Sequence, residues 1–140
     1  MSGPVRHFTD LEVWRQAHRL FLALVKDVDG FPPVRSAAAL AEQLVRSSGS
    51  VGANVAEGFN RSRSRFLNCL DIALGEANEL ENWLYKARDA GFLPIDVAEA
   101  RLRAVVEVEK MLTSLKRKIA ARPDRVAEDG GEYTVWKDEG

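Results

Sequence analysis

Few side chains in this sequence could do chemistry, and they are scattered. There are two histidines, His7 and His18, and one cysteine, Cys69. The run "EANELE" adds Glu76, Glu79 and Glu81 within about two helical turns. A carboxylate-bridged metal bundle needs Glu-x-x-His on two helices, and no such spacing occurs. No Ser–His–acid set or Cys–His pair is spaced for nucleophilic catalysis. His18 sits between Trp14 and Phe21 and reads as a boundary residue. Cys69 reads as a small, reduced core residue, and a single cysteine closes no internal disulfide. The stretch "RSSGSVGANVAEG", residues 46–58, has the glycines of a phosphate cradle. It lacks the G-x-x-x-x-G-K-[ST] spacing and a preceding strand. The expectation is therefore no enzyme, no metal and no cofactor.

Charge is the more informative signal. The formal net charge is −1, which by itself points to no nucleic-acid or membrane partner. Its distribution is uneven. Residues 127–140 hold five acids against one lysine, so nineteen Lys/Arg against sixteen Asp/Glu remain upstream, a formal +3. Residues 110–125 carry Lys110, Lys116, Arg117, Lys118, Arg122 and Arg125 against Asp124. "RSRSR" adds Arg61, Arg63 and Arg65. Such cations suit phosphate oxygens. They also suit a solvated helix end, where Lys and Arg complement the macrodipole. Arg61, Arg63, Arg65, Lys110, Lys116, Arg117, Lys118 and Arg122 are the candidate nucleic-acid contacts.

These residues must be positioned by helices, because no useful β-alternation is present. A first period runs over about 10–28, with Leu11, Trp14, Phe21, Val25 and Val28 on one face, Thr9 and Glu12 at capping-box spacing and Phe8 as a hydrophobic staple. "DGFPP" ends it. A second begins near Ser36 and continues to Gly58. Its small residues fall in rows four apart (Ser48, Gly52, Ala56; Ser50, Asn54, Gly58), beside Val51, Val55 and Phe59. Glycine inside a helix costs about 1 kcal/mol against alanine, so close approach by another helix backbone is expected as compensation. A third carries Phe66, Leu70, Ala73, Ala77, Leu80, Leu84 and Ala87 in steps of four and three, with Gly91 as C-cap. A fourth opens after Pro94, with Asp96 and Glu99 at capping spacing. Ala98, Leu102, Val105, Leu112, Leu115 and Ile119 form its face, and Pro123 ends it.

Four helices joined by short loops predict an all-α, up-down-up-down antiparallel four-helix bundle over 1–122, followed by an acidic tail, 123–140. In the tail Tyr133, Val135 and Trp136 read as a docking stub. The turn between the second and third helices and the end of the fourth helix are expected at opposite ends, keeping the two basic clusters apart. Gln43, Arg46, Asn54, Glu57 and Glu81 are read as an internal polar network, with Arg46 and Glu81 expected at the same end of the antiparallel second and third helices. Without a signal-peptide pattern or a run of about 20 apolar residues, a cytoplasmic location is expected.

Three blocks carry a resemblance: "FTDLEVWRQAHRLF", "QLVRSSGSVGANVAEG" and "FLNCLDIALGEANELENWL". Together they resemble the bacterial four-helix-bundle proteins named after the 23S rRNA intervening sequences that encode some of them. The second block is the most specific, through Gln43, Arg46, Ser50, Asn54, Glu57 and Gly58. The third supplies Phe66, Ala73, Gly75, Glu79, Leu80 and Glu81. Glu76 departs from the serine usual there, and Val51 and Val55 replace isoleucines. The resemblance covers residues 8–119 and extends to accessory proteins of diversity-generating retroelements, which bind a reverse transcriptase and its RNA. It implies a ring-shaped homo-oligomer, a pentamer, in which each basic cluster repeats around an axis. It also implies an RNA or ribonucleoprotein partner, or a reverse transcriptase as the alternative.

Overall fold

The computed structural model describes residues 3–123 and contains four long helices. These are α1 (Glu12–Val28), α2 (Arg35–Gly58), α3 (Arg63–Asp89) and α4 (Ile95–Ala120). A short 3-10 turn over Phe8–Asp10 precedes α1. Each helix packs on its neighbours in sequence and α4 closes back on α1, while the backbones of the diagonal pairs α1/α3 and α2/α4 stay apart. The architecture is the antiparallel up-and-down bundle that the short connections require. At 27 residues, α3 is about 40 Å long at ~1.5 Å per residue.

The core follows the helical period. On α3, Phe66, Leu70, Ala73, Ala77, Leu80, Leu84 and Ala87 are all fully buried. Facing them are Leu44, Val51 and Val55 of α2, and Ala98, Val105, Leu112 and Ile119 of α4. Leu115, expected on the same α4 face, is half-buried. α1 departs further from its expected face. Its inward residues are Val13, Ala17, Leu20 and Leu24, spaced four, three, four. Trp14 and Phe21 lie to one side, half-buried, and Val25 is exposed. The inward face thus follows the four-three period of the smaller residues and not the bulk of the rings.

The helix ends also differ from expectation. His7, not Thr9, caps the first turn: its ring nitrogen Nδ1 accepts from the Thr9 amide, and the Asp10 carboxylate accepts from the Arg6 and His7 amides at 3.0 Å each. Those backbone donors hold the Asp10 carboxyl below its ordinary range. Buried Leu11 then takes an extended conformation and precedes α1 without a side-chain cap. Pro94 precedes α4, also without a side-chain cap, so Asp96 acts only as an acid in the first turn, complementing the helix dipole. The end of α3 is as read. Gly91 has φ +78, its amide donates to Arg88 O and the Phe92 amide to Ala87 O, the paired bonds of a Schellman motif.

Alternation decides what lies at each end. Loops 29–34 and 90–94 share one end, where Phe31 and Phe92 approach to 6.1 Å between ring centroids. There Arg101 of α4 grips Asp27 of α1 through two bonds of 2.6 and 3.1 Å. The other end gathers the start of α1, turn 59–62 and the end of α4.

Candidate nucleic-acid interface

That second end is where the basic residues meet. In an up-and-down bundle the even-numbered helices are parallel, so α2 and α4 stop at the same end. The expectation that turn 59–62 and the α4 terminus lie apart is therefore wrong. Arg63 makes the connection: its Nη1 donates to Ala120 O at 3.2 Å and to Arg122 O at 2.9 Å. A guanidinium is suited to this task, because its several N–H donors can satisfy the carbonyls left open where a helix ends. Ser62 caps α3 through its Oγ, which accepts from the Arg65 amide, and Asn60 turns the chain with φ 62.

The candidates divide by what each side chain is doing. Arg61, Arg65, Arg117 and Lys118 are exposed at this end. Arg63 and Arg122 are half-buried in the brace between turn 59–62 and α4. Lys116 donates to Asp71 Oδ1 at 2.8 Å, tying α4 to α3. Lys110 lies about two turns up α4, exposed, beside a concavity of about 500 Å³ that Arg117 also lines. Arg6, which the sequence reading did not single out, enters the same end ahead of α1, and its backbone amide is held by Asp10. Exposed Glu57 is a negative neighbour at the end of α2.

The internal polar network separates into parts. Arg46 donates to Gln43 Oε1 and to Glu79, and its Nη1 lies 3.5 Å from Glu76 Oε1. Glu79 also accepts from Trp83 Nε1 at 3.2 Å. That indole bond and Arg46 hold the Glu79 carboxyl low, while burial and the neighbouring Glu79 push Glu76 up. The acids facing Arg46 are thus Glu76 and Glu79. Glu81 turns instead toward α4, where it opposes Glu109. Burial, and then Glu81, push the Glu109 carboxyl up to about 7. Asn54 bonds back to Ser50 O of its own helix at 2.8 Å, and Glu57 faces outward. A spacing of two between Glu79 and Glu81 puts them about 200° apart on a helix, which separates the two sites.

The small-residue face of α2 has two uses. At Gly58 the helices α2 and α3 nearly touch: an added Cβ would lie 2.6 Å from Cys69 Cβ. At Gly49 and Gly52 the close neighbours are aromatic rings of α1, Phe21 and Trp14 at 3.4 and 3.3 Å, and not a backbone. His18 stacks on Trp14, with centroids 4.8 Å apart and planes 13° from parallel. Among the described residues, no three His, Cys, Asp or Glu gather as metal ligands, and no helix is long and apolar enough to cross a membrane. The tail expected over 123–140 lies, from residue 124, outside the described residues.

The family model described as "23S rRNA-intervening sequence protein" matches residues 9–114. The chain belongs to that family. A solved structure of a protein of unknown function from the S23 ribosomal protein family, from Bacteroides thetaiotaomicron VPI-5482, is similar with a TM-score of 0.69 and 28% identity. The similarity covers 75% of this chain and 98% of that one. No curated protein matches. The matched segment of this intervening-sequence family member stops within α4, so Lys116, Arg117, Lys118 and Arg122 lie beyond it. Part of the basic end is thus read from this chain's own residues.

Proposed function

We propose that this family member is a non-enzymatic, oligomeric bundle protein that binds structured nucleic acid, RNA in preference to DNA. The observation that carries the reading is the Arg63 brace, which joins two basic segments 57 and 59 residues apart into one surface. Arg61, Arg65, Arg117 and Lys118 would meet phosphates there, with Lys110 further along α4. Arg63, Arg122 and Lys116 would hold the surface in shape. The rRNA association in the family's description supports the same class of partner. In a ring, the pentamer included, each copy would repeat the surface and deepen the local potential.

The alternative is an accessory scaffold that binds a reverse transcriptase together with its RNA. Exposed Leu22 and Val25 on α1, and Ile72 and Tyr85 on α3, give that reading apolar surface for a protein partner. One variant tests whether the basic end is the RNA surface, and the first reading requires that it leave binding of any protein partner intact. Alanine at Arg61, Arg65, Arg117 and Lys118 should strongly weaken RNA binding and flatten its salt dependence, while helicity and self-assembly, read by circular dichroism and light scattering, stay unchanged. Unchanged RNA affinity would remove the basic end as the binding surface.

A further inference from the structure

The groove between α1 and α2 plays no part in the basic surface. Its floor is Gly49, Gly52, Ala53 and Ala56, and its walls are the rings of Trp14, His18 and Phe21. Its volume is about 260 Å³, below the ~300–1,000 Å³ of sites that enclose whole small ligands. Apart from the polar edges of the rings and Ser48, the lining is carbon. Such a site suits one or two aromatic side chains, which stack on the ring walls above the small residues of α2, where Phe21 and Trp14 already lie close over Gly49 and Gly52.

The sequence beyond α4 carries such side chains. Tyr133, Val135 and Trp136 stand together among acids, just after Gly130 and Gly131. α4 ends at Ala120 beside the start of α1. The groove opens at Trp14 and Ala56, within about a turn of that end. Tyr133 lies ten steps along the chain from Pro123, a reach of up to about 33 Å at ~3.3 Å per step. The route round α1 is shorter, since a helix is about 10–12 Å across. Arg15 and Arg19 lie on the outer side of α1, their side chains 46% and 61% exposed. Their contacts with Asp10 and Glu12 are long, 3.8–4.0 Å. Glu128, Asp129 and Glu132 would pass them on this route, acid against base.

We propose that residues 133–136 dock in the α1–α2 groove of their own chain, with Tyr133 and Trp136 against Trp14, His18 and Phe21. The test uses the full chain with a photoreactive benzoylphenylalanine at position 136, an aromatic of similar reach. After irradiation, products are sorted by mass under denaturing conditions and the adducts mapped. The expected result is adducts within one chain, on residues 14–21 or 48–56. Adducts elsewhere, adducts joining two chains, or none at all would overturn the proposal. Ala53→Glu provides the control, since Ala53 is exposed on a helix yet lines the groove. A carboxylate pressed against rings should cut groove adducts by about tenfold or more, because burying an unpaired charge costs well over the ~1.4 kcal/mol of a tenfold change. Undiminished yield in a variant of unchanged helicity would equally overturn it.

Discussion

A single methyl group at Gly58 probes the tightest surroundings of any glycine among the described residues. In Gly58→Ala the new Cβ would sit 2.6 Å from Cys69 Cβ and 2.8 Å from Phe66 Cδ1. Carbon pairs prefer about 3.5–4.0 Å, so α2 and α3 must part there by about an ångström. Neither neighbour can yield easily: Cys69 Cβ is fixed to its backbone, and Phe66 is fully buried. Overpacking of this kind costs about 1–3 kcal/mol. The helix-propensity gain of alanine, about 1 kcal/mol in a helix interior, is smaller here because Gly58 is the last residue of α2. The net expectation is a loss of about 1–2 kcal/mol. Gly75→Ala is the matched control, exposed in the middle of α3 with nothing within 4 Å of the added Cβ. It should stabilise by about 0.5–1 kcal/mol. Urea unfolding should move the two midpoints in opposite directions with unchanged slopes. A Gly58→Ala protein as stable as the parent would refute the close approach. A destabilised Gly75→Ala protein would show that the outer face of α3 is covered.

Other expectations concern charge. Arg46→Leu removes the partner of Glu76 and Glu79 and should cost about 1–2 kcal/mol, since Arg46 is partly exposed but serves several acceptors. The Glu76 carboxyl, already raised, should titrate higher still by NMR. Glu57→Leu, at an outward-facing position, should stay within about 0.5 kcal/mol of the parent; a larger loss would restore it to the network. Glu109 is raised from 4.5 to about 7, so its protonated form favours the native state. Its stabilising contribution is full below pH 4.5 and fades as pH climbs to about 7. Glu109→Gln should therefore gain stability relative to the parent across that window and hold a constant margin above it; a margin independent of pH would contradict the assignment. Removing residues 127–140 takes away five acids and one lysine and should tighten RNA binding at low salt; unchanged affinity would show that these acids do not compete.

The fold was legible in the sequence wherever period alone decided it. The four-three steps of α3 appear as a buried row without exception, and Gly91 terminates the helix through the left-handed conformation its position required. Legibility failed where two features competed. On α1 the large rings of Trp14 and Phe21 drew attention from Val13, Ala17, Leu20 and Leu24, although the smaller residues keep the stricter period. Capping was misassigned because Thr9 and Asp96 have suitable spacing, while Leu11 and Pro94 fix where the helices begin. The two basic clusters were expected at opposite ends through an error of topology, because parallel α2 and α4 bring turn 59–62 and the end of α4 together. Arg63 could not be recognised as a brace, because its acceptors are backbone carbonyls 57 and 59 residues away. Glu76 and Glu79 were visible as acids, yet only the rotation of α3 selects them over Glu81 for Arg46.

If the basic end binds RNA, affinity must follow its charge and fall with salt. The measurement that bears on it most directly is fluorescence anisotropy of a structured RNA and a duplex DNA of equal length, titrated with the full chain across a salt series. The same titration is run with alanine at Arg61, Arg65, Arg117 and Lys118. The expected result is tight RNA binding that weakens steeply with salt. In the variant the log–log slope should be shallower by about 3–4, at ~0.7–0.9 for each phosphate that is no longer neutralised. No RNA binding at low salt by folded protein, or a variant with the parent's slope, would contradict it.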